Sequence, residues 1–146
     1  MHILFVDDDH LARASVPSVL TAEGHTVIVA SDGEEALTKL AAVSVDLIIT
    51  DIYMPKLDGL RLRQLVRSIE ITKRLPFLFI SGSDDTQAIN DPRCEGFYKK
   101  GRPVSELIAW VKYLTTPEYK RLSPPAIDTQ RTIYQRDYSR GARKSG

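Results

Sequence analysis

Cysteine is almost absent. The 146-residue chain has one, Cys94, which excludes an internal disulfide and a thiolate zinc cluster. Its place after a Pro-Arg turn suits a small inert thiol better than a redox sensor. The three histidines, His2, His10 and His25, are scattered without ligand spacing. No apolar run approaches the roughly 20 residues a membrane-spanning helix needs. The opening MHILFVDDDH lacks a basic n-region, so no signal peptide is expected. Together these absences lead to the expectation of a cytoplasmic protein with no membrane partner. A large excess of either charge is missing too, since the net charge is +1. That sum hides an asymmetry: residues 1–116 carry 13 basic and 16 acidic groups (−3), and residues 117–146 carry 7 and 3 (+4).

What is present reads as one soluble domain. Hydrophobic residues make up 42% and charged residues 27% of the chain, and its length suffices for a proper core. Apolar runs of strand length recur at 3–6, 26–30, 46–50, 77–80 and 96–99. Stretches that fit helices lie between them. One covers 9–22, is stopped by Gly24 and contains Pro17, which should kink it or shift its start. A second covers 32–42, with Glu34 and Glu35 in its first turn. A third runs from about 58 to 71, with Leu62, Leu65, Val66 and Ile69 on its apolar face. A fourth, after Ser83-Asp84-Asp85, is stopped early by Asn90-Asp91-Pro92. A fifth begins near Pro103. This alternation predicts an α/β fold, a doubly wound five-stranded parallel sheet with helices on both faces and the fourth helix shortened. The strands lack polar alternation, as expected of strands buried on both sides.

In such sheets the site lies beyond the carboxyl ends of the strands. There the sequence places Asp7, Asp8 and Asp9 after the first strand, Asp51 after the third, Ser81-Gly82 after the fourth and Lys100 after the fifth. With strand order 2-1-3-4-5, those tips converge. An acid closing so apolar a run as LIITD is costly unless compensated. Asp7, Asp8 and Asp51 brought close would repel one another, and a hard cation with oxygen ligands, Mg2+, relieves that. A carboxylate so placed can act as a nucleophile toward phosphorus. Asp51 is the natural nucleophile, Ser81 the donor to a phosphoryl oxygen and Lys100 the counter-charge. Asp9 reads as a helix cap. Taken singly, the DDD run, the Ser-Gly pair and the Lys99-Lys100 pair each have a plain surface reading; their joint placement at four strand ends is what carries the argument.

The segments ILFVDDD, DIYMPKLDG, FLFISGS and GFYKKGRPVSEL, in this order across residues 1–116, resemble the receiver domain of two-component response regulators. The resemblance implies Asp51 as phosphoacceptor, and Mg2+ held by Asp7, Asp8, Asp51 and the backbone carbonyl of Tyr53. It implies Ser81 and Lys100 as switch hydroxyl and conserved lysine, and Phe97 as the switch aromatic. It also implies a sensor histidine kinase or histidine phosphotransfer protein as donor, and an output protein it does not name. The expected function is a phosphorylation-activated response regulator of a phosphorelay. Self-phosphorylation and autodephosphorylation would be its only chemistry. The alternative is a receiver-fold binding module that works without phosphorylation. An aspartyl phosphatase would show a second acid two residues after the nucleophile, where Tyr53 stands.

The chain departs from the family pattern in four places. Gly101-Arg102 follow Lys100 where proline is usual, so a cis peptide there is not expected. The span from Ser81 to Phe97 is short by about one helical turn, which alters the face most members use for partners or dimerisation and leaves a homodimer open. Pro17 lies inside the first helix, and Tyr53 is bulky. Residues 117–146 are expected to be a basic, proline-containing extension and not an output domain. They read as a solvated tail, or as a docking segment with Tyr134 and Tyr138 paired on a helix from Asp128. Nucleic-acid binding is not expected from arginines this sparse without a reading fold.

Overall fold

The computed structural model describes residues 1–82 and 95–116. In chain order these form β1 (His2–Val6), α1 (His10–Ala22), β2 (Thr26–Ala30), α2 (Gly33–Ala42), β3 (Leu47–Asp51), α3 (Gly59–Arg67), β4 (Phe77–Ser81), β5 (Phe97–Lys99) and α4 (Val104–Thr115). The strands pair in parallel in the order β2-β1-β3-β4-β5, the doubly wound α/β topology expected from the sequence. The shortened fourth helical stretch, Cys94 and the tail from 117 lie outside the described residues.

Two apolar layers sandwich the sheet. Because side chains alternate along a strand, Ile3, Phe5, Leu47, Ile49, Leu78 and Ile80 face one way, onto Leu20 of α1 and Leu107, Trp110 and Leu114 of α4. Leu4, Val6, Ile48, Phe77 and Phe79 face the other way, onto Ala36 of α2 and Leu62 and Val66 of α3. Both sets are buried, which explains the uninterrupted apolar strands. Fully burying one such side chain contributes about 1.5–3 kcal/mol, so the sheet is a stiff platform for whatever stands at its rim.

Aspartates start three of the helices. The side chains of Asp9, Asp32 and Asp58 accept from the backbone N–H of Leu11, Glu35 and Arg61, at 3.0, 2.8 and 2.7 Å. Each satisfies a donor that the first turn leaves unpaired. Asp9 is thus the helix cap read from the sequence. Pro17 does not delay α1, which starts at His10 and continues past it. The proline leaves the Arg13 carbonyl without its helical donor.

The third helix is shorter than expected. It ends at Arg67, with turns as far as residue 74, and Ile69 is exposed rather than in the core. Ser68 Oγ donates to the Leu65 carbonyl and Thr72 Oγ1 to that of Val66, at 2.6 and 2.8 Å. These bonds take up carbonyls at the helix end. The β-branched cluster Ile69, Ile71 and Thr72 also weakens continuation.

Candidate functional site

Strand register sets the geometry. Val6 pairs with Thr50, so the next residues, Asp7 and Asp51, leave adjacent strands side by side. Ser81 pairs with Lys99, and the Lys100 N–H then donates to the Ser81 carbonyl at 2.8 Å. The tips of β1, β3, β4 and β5 therefore bring Asp7, Asp51, Ser81 and Lys100 to one rim, as the sequence suggested. Phe97 is buried in the α2/α3 layer, paired in register with Phe79.

Lys100 bridges the acids. Its ammonium lies 2.8 Å from Asp7 Oδ2 and 3.1 Å from Asp51 Oδ2. Asp7 is fully buried, Asp51 nearly so, and Ser81 is buried as well. Asp7 Oδ1 accepts the backbone N–H of Asp9 at 2.8 Å, and Asp51 Oδ1 accepts that of Tyr53 at 3.4 Å. Asp8 is exposed, and oxygens of Asp7, Asp8 and Asp51 lie within 4.8 Å of one another. The Tyr53 side chain points to solvent, 55% exposed.

The electrostatics follow from this crowding. Burial pushes the Asp51 carboxyl up to about 6, the Asp7 charge adds to the rise, and Lys100 opposes it. Burial works against the Lys100 charge, but Asp7 and Asp51 outweigh it and its pKa is raised. The site thus holds more negative charge than one lysine balances. Three hard oxygen donors around such a deficit suit a small divalent cation.

Supporting contacts went unread in the sequence. Arg13 Nη1 donates to the Asp7 carbonyl at 2.8 Å, pinning the β1–α1 loop. The only hint was a basic residue one helical turn after Asp9. Gly59 packs against the Asp51 backbone, where a Cβ would stand 2.2 Å from the carbonyl oxygen. The turn after β5 explains the missing proline. Gly101 has φ +91°, whereas proline is fixed near −65°. There is no cis peptide bond among the described residues.

Comparison with known proteins agrees with this geometry. Residues 3–111 match the family described as the response regulator receiver domain. A gliding motility regulatory protein of Myxococcus xanthus is 36% identical over 112 residues, which is 75% of this chain and 14% of the relative. The chain thus spans a small part of that relative's length. The solved chemotaxis protein CheY4 of Vibrio cholerae is similar with a TM-score of 0.73 at 27% identity, covering 77% of this chain and 97% of that one. The response regulator TrrA of Thermotoga maritima, solved in complex with Mg2+ and BeF, gives 0.70 at 29% identity, covering 77% and 97%. Order of strands, rim of acids and matched length point the same way: this chain belongs to the response regulator receiver domain family of two-component signalling.

Proposed function

We propose that this chain is a phosphorylation-switched receiver, taking a phosphoryl group on Asp51 and signalling by protein–protein contact. The observation that carries the reading is the Lys100 ammonium shared between Asp7 and Asp51, with Asp8 at their side. In the reaction an Asp51 carboxylate oxygen attacks phosphorus, and an O–P bond forms. The bond from phosphorus to the donor breaks, and its electron pair leaves with the donor. Hydrolysis of the resulting acyl phosphate would return Asp51.

The residues fit a divalent cation, because a deficit of positive charge faces three oxygen donors. Asp7, Asp8, Asp51 and the Tyr53 carbonyl would hold Mg2+, which when bound neutralises the carboxylates and the phosphoryl oxygens. Asp7 keeps Lys100 aimed at Asp51, so the ammonium can follow the charge from carboxylate to phosphate. Ser81, buried beside it, would donate to a phosphoryl oxygen. Phe97 would change its packing with the modification. That the similar TrrA is solved in complex with Mg2+ and BeF supports the reading.

The donor would be a histidine kinase or a histidine phosphotransfer protein. A division into a receiver at 1–116 and a basic extension at 117–146 belongs to the same proposal, as does turnover confined to Asp51 itself. Among the described residues no helix is long and apolar enough to cross a membrane.

Intact mass after incubation with acetyl phosphate and Mg2+ tests the reading. One added phosphoryl group, missing in Asp51→Asn and without Mg2+, is expected. No gain with either acetyl phosphate or a kinase would favour the phosphorylation-independent binding module.

A further inference from the structure

Lys100 stands on a turn that has little stiffness of its own. Lys99, Lys100, Gly101 and Arg102 form it, closed by the Arg102 N–H donating to the Lys99 carbonyl at 3.2 Å. The positive φ at Gly101, its third position, is that of a type II turn. Glycine allows this conformation but does not enforce it. A Cβ at 101 would meet nothing within 4 Å, so no neighbour crowds the turn on that side.

The entry is anchored, since the Lys100 N–H reaches the Ser81 carbonyl on β4. The exit is anchored by a side chain. The Tyr98 hydroxyl donates to the Arg102 carbonyl at 2.6 Å, spanning the turn from the strand before it. Tyr98 is itself buried, in the layer with Leu107 and Trp110, so its ring is a rigid strut. The Arg102 guanidinium is tied in turn to Glu106 of α4 by bonds of 3.2 and 2.7 Å. Between these two anchors Lys100 extends to Asp7 and Asp51.

We infer that Tyr98 is a positioning residue: its hydroxyl bond to the Arg102 carbonyl locks the Gly101 turn and thereby holds the Lys100 ammonium on Asp7 and Asp51. The inference deepens the proposed function, on which its consequence for phosphoryl transfer rests. In this chain a tyrosine strut supplies the stiffness that a fixed φ in the turn would otherwise give.

Tyr98→Phe removes one hydroxyl and keeps the ring. The direct readout is the ammonium signal of Lys100 in 15N-labelled, Mg2+-free protein, assigned by its loss in Lys100→Arg. An ammonium held by two carboxylates exchanges its protons slowly. In Tyr98→Phe the exchange is expected to quicken by at least about threefold, the scale of one lost hydrogen bond. Glu106→Gln, which loosens the same anchor from α4, should move it the same way. Tyr113→Phe, a tyrosine change away from the turn, should not. With acetyl phosphate at saturation, Tyr98→Phe should slow phosphorylation by a similar factor at unchanged half-saturating donor. Ammonium exchange as slow in Tyr98→Phe as in the parent protein would overturn the inference. So would a parent ammonium exchanging like a solvated lysine. If the parent protein takes up no phosphoryl group, the proposed function fails, while the ammonium readout still decides the role of Tyr98.

Discussion

Asp51 and Gly59 are packed backbone to backbone. The Gly59 N–H donates to the Ile52 carbonyl at 2.8 Å, and a Cβ at 59 would stand 2.2 Å from the carbonyl oxygen of Asp51. No side-chain rotation relieves such a contact, so Gly59→Ala must displace the backbone at the end of β3, where Asp51 stands. The expected loss of stability is about 1–3 kcal/mol, the range for forced overpacking, read by urea denaturation. Gly82→Ala, with nothing within 4 Å of the added carbon, should leave the midpoint nearly unchanged. Equal midpoints for both variants would show that the loop is not packed as described.

The raised acid in the site gives a pH signature. Asp51 titrates from about 6 in the folded chain against an ordinary 3.8. Between those values the folded state binds more protons than the unfolded one, so wild-type stability falls as pH rises toward 6. Above 6 the full cost of the buried charge is present. Without Mg2+, Asp51→Asn should therefore stabilise the protein at pH 7.5 by about 1–3 kcal/mol, the size of a shift of this order. The gain should shrink to nothing near pH 4. A gain that is the same at both pH values, measured by denaturation, would place its origin elsewhere.

Removing the ammonium should do the reverse. Lys100→Met leaves the fully buried Asp7 and its neighbour Asp51 without their shared cation. Breaking a buried pair from one side costs about 3–5 kcal/mol. Proton uptake by Asp51 should reduce this to about 2 kcal/mol or more at pH 7.5. Melting curves without Mg2+ should show the loss, and saturating Mg2+ should narrow the gap to wild type. A gap that Mg2+ leaves untouched would argue against a cation among the same carboxylates.

A structural ion cluster gives a prediction independent of the site. Arg63 and Arg67, one turn apart on α3, both reach Oε1 of Glu95, the Arg63 contact at 2.9 Å. Glu95 also accepts the Phe77 N–H at 3.4 Å. Glu95→Gln would take from two half-buried guanidinium groups the carboxylate they share, at a cost of about 2 kcal/mol or more. Phosphorylation chemistry, at the opposite ends of the strands, should persist. A stability change below about 0.5 kcal/mol, the surface-pair scale, would refute the cluster's role.

Much of this was legible in the sequence because short apolar runs can be buried in few ways. The five strands followed from the alternation of runs and helices, their doubly wound order from the resemblance to the receiver family, and the rim of Asp7, Asp51, Ser81 and Lys100 from that order. The acids were conspicuous because Asp51 ends LIIT, where a charge has a cost. What escaped were contacts set by tertiary approach. The Cβ-free face of Gly59, the reach of Arg13 to a backbone carbonyl and the span of Tyr98 across a turn carry no periodic signature. The end of α3 was misplaced because Ile69 continues the helical spacing while Ser68 and Thr72 take up the last carbonyls. Pro17 did not shift the start of a helix already capped by Asp9 and packed through Leu20.

The most direct test of the account is the identity of the phosphorylated residue. Borohydride reduces an aspartyl phosphate to homoserine, so tandem mass spectrometry of the treated, phosphorylated protein locates the acyl group. The account predicts conversion at Asp51, dependent on Mg2+ and abolished in Asp51→Asn. Conversion at Asp7 or Asp8, or full phosphorylation of Asp51→Asn at another side chain, would contradict it.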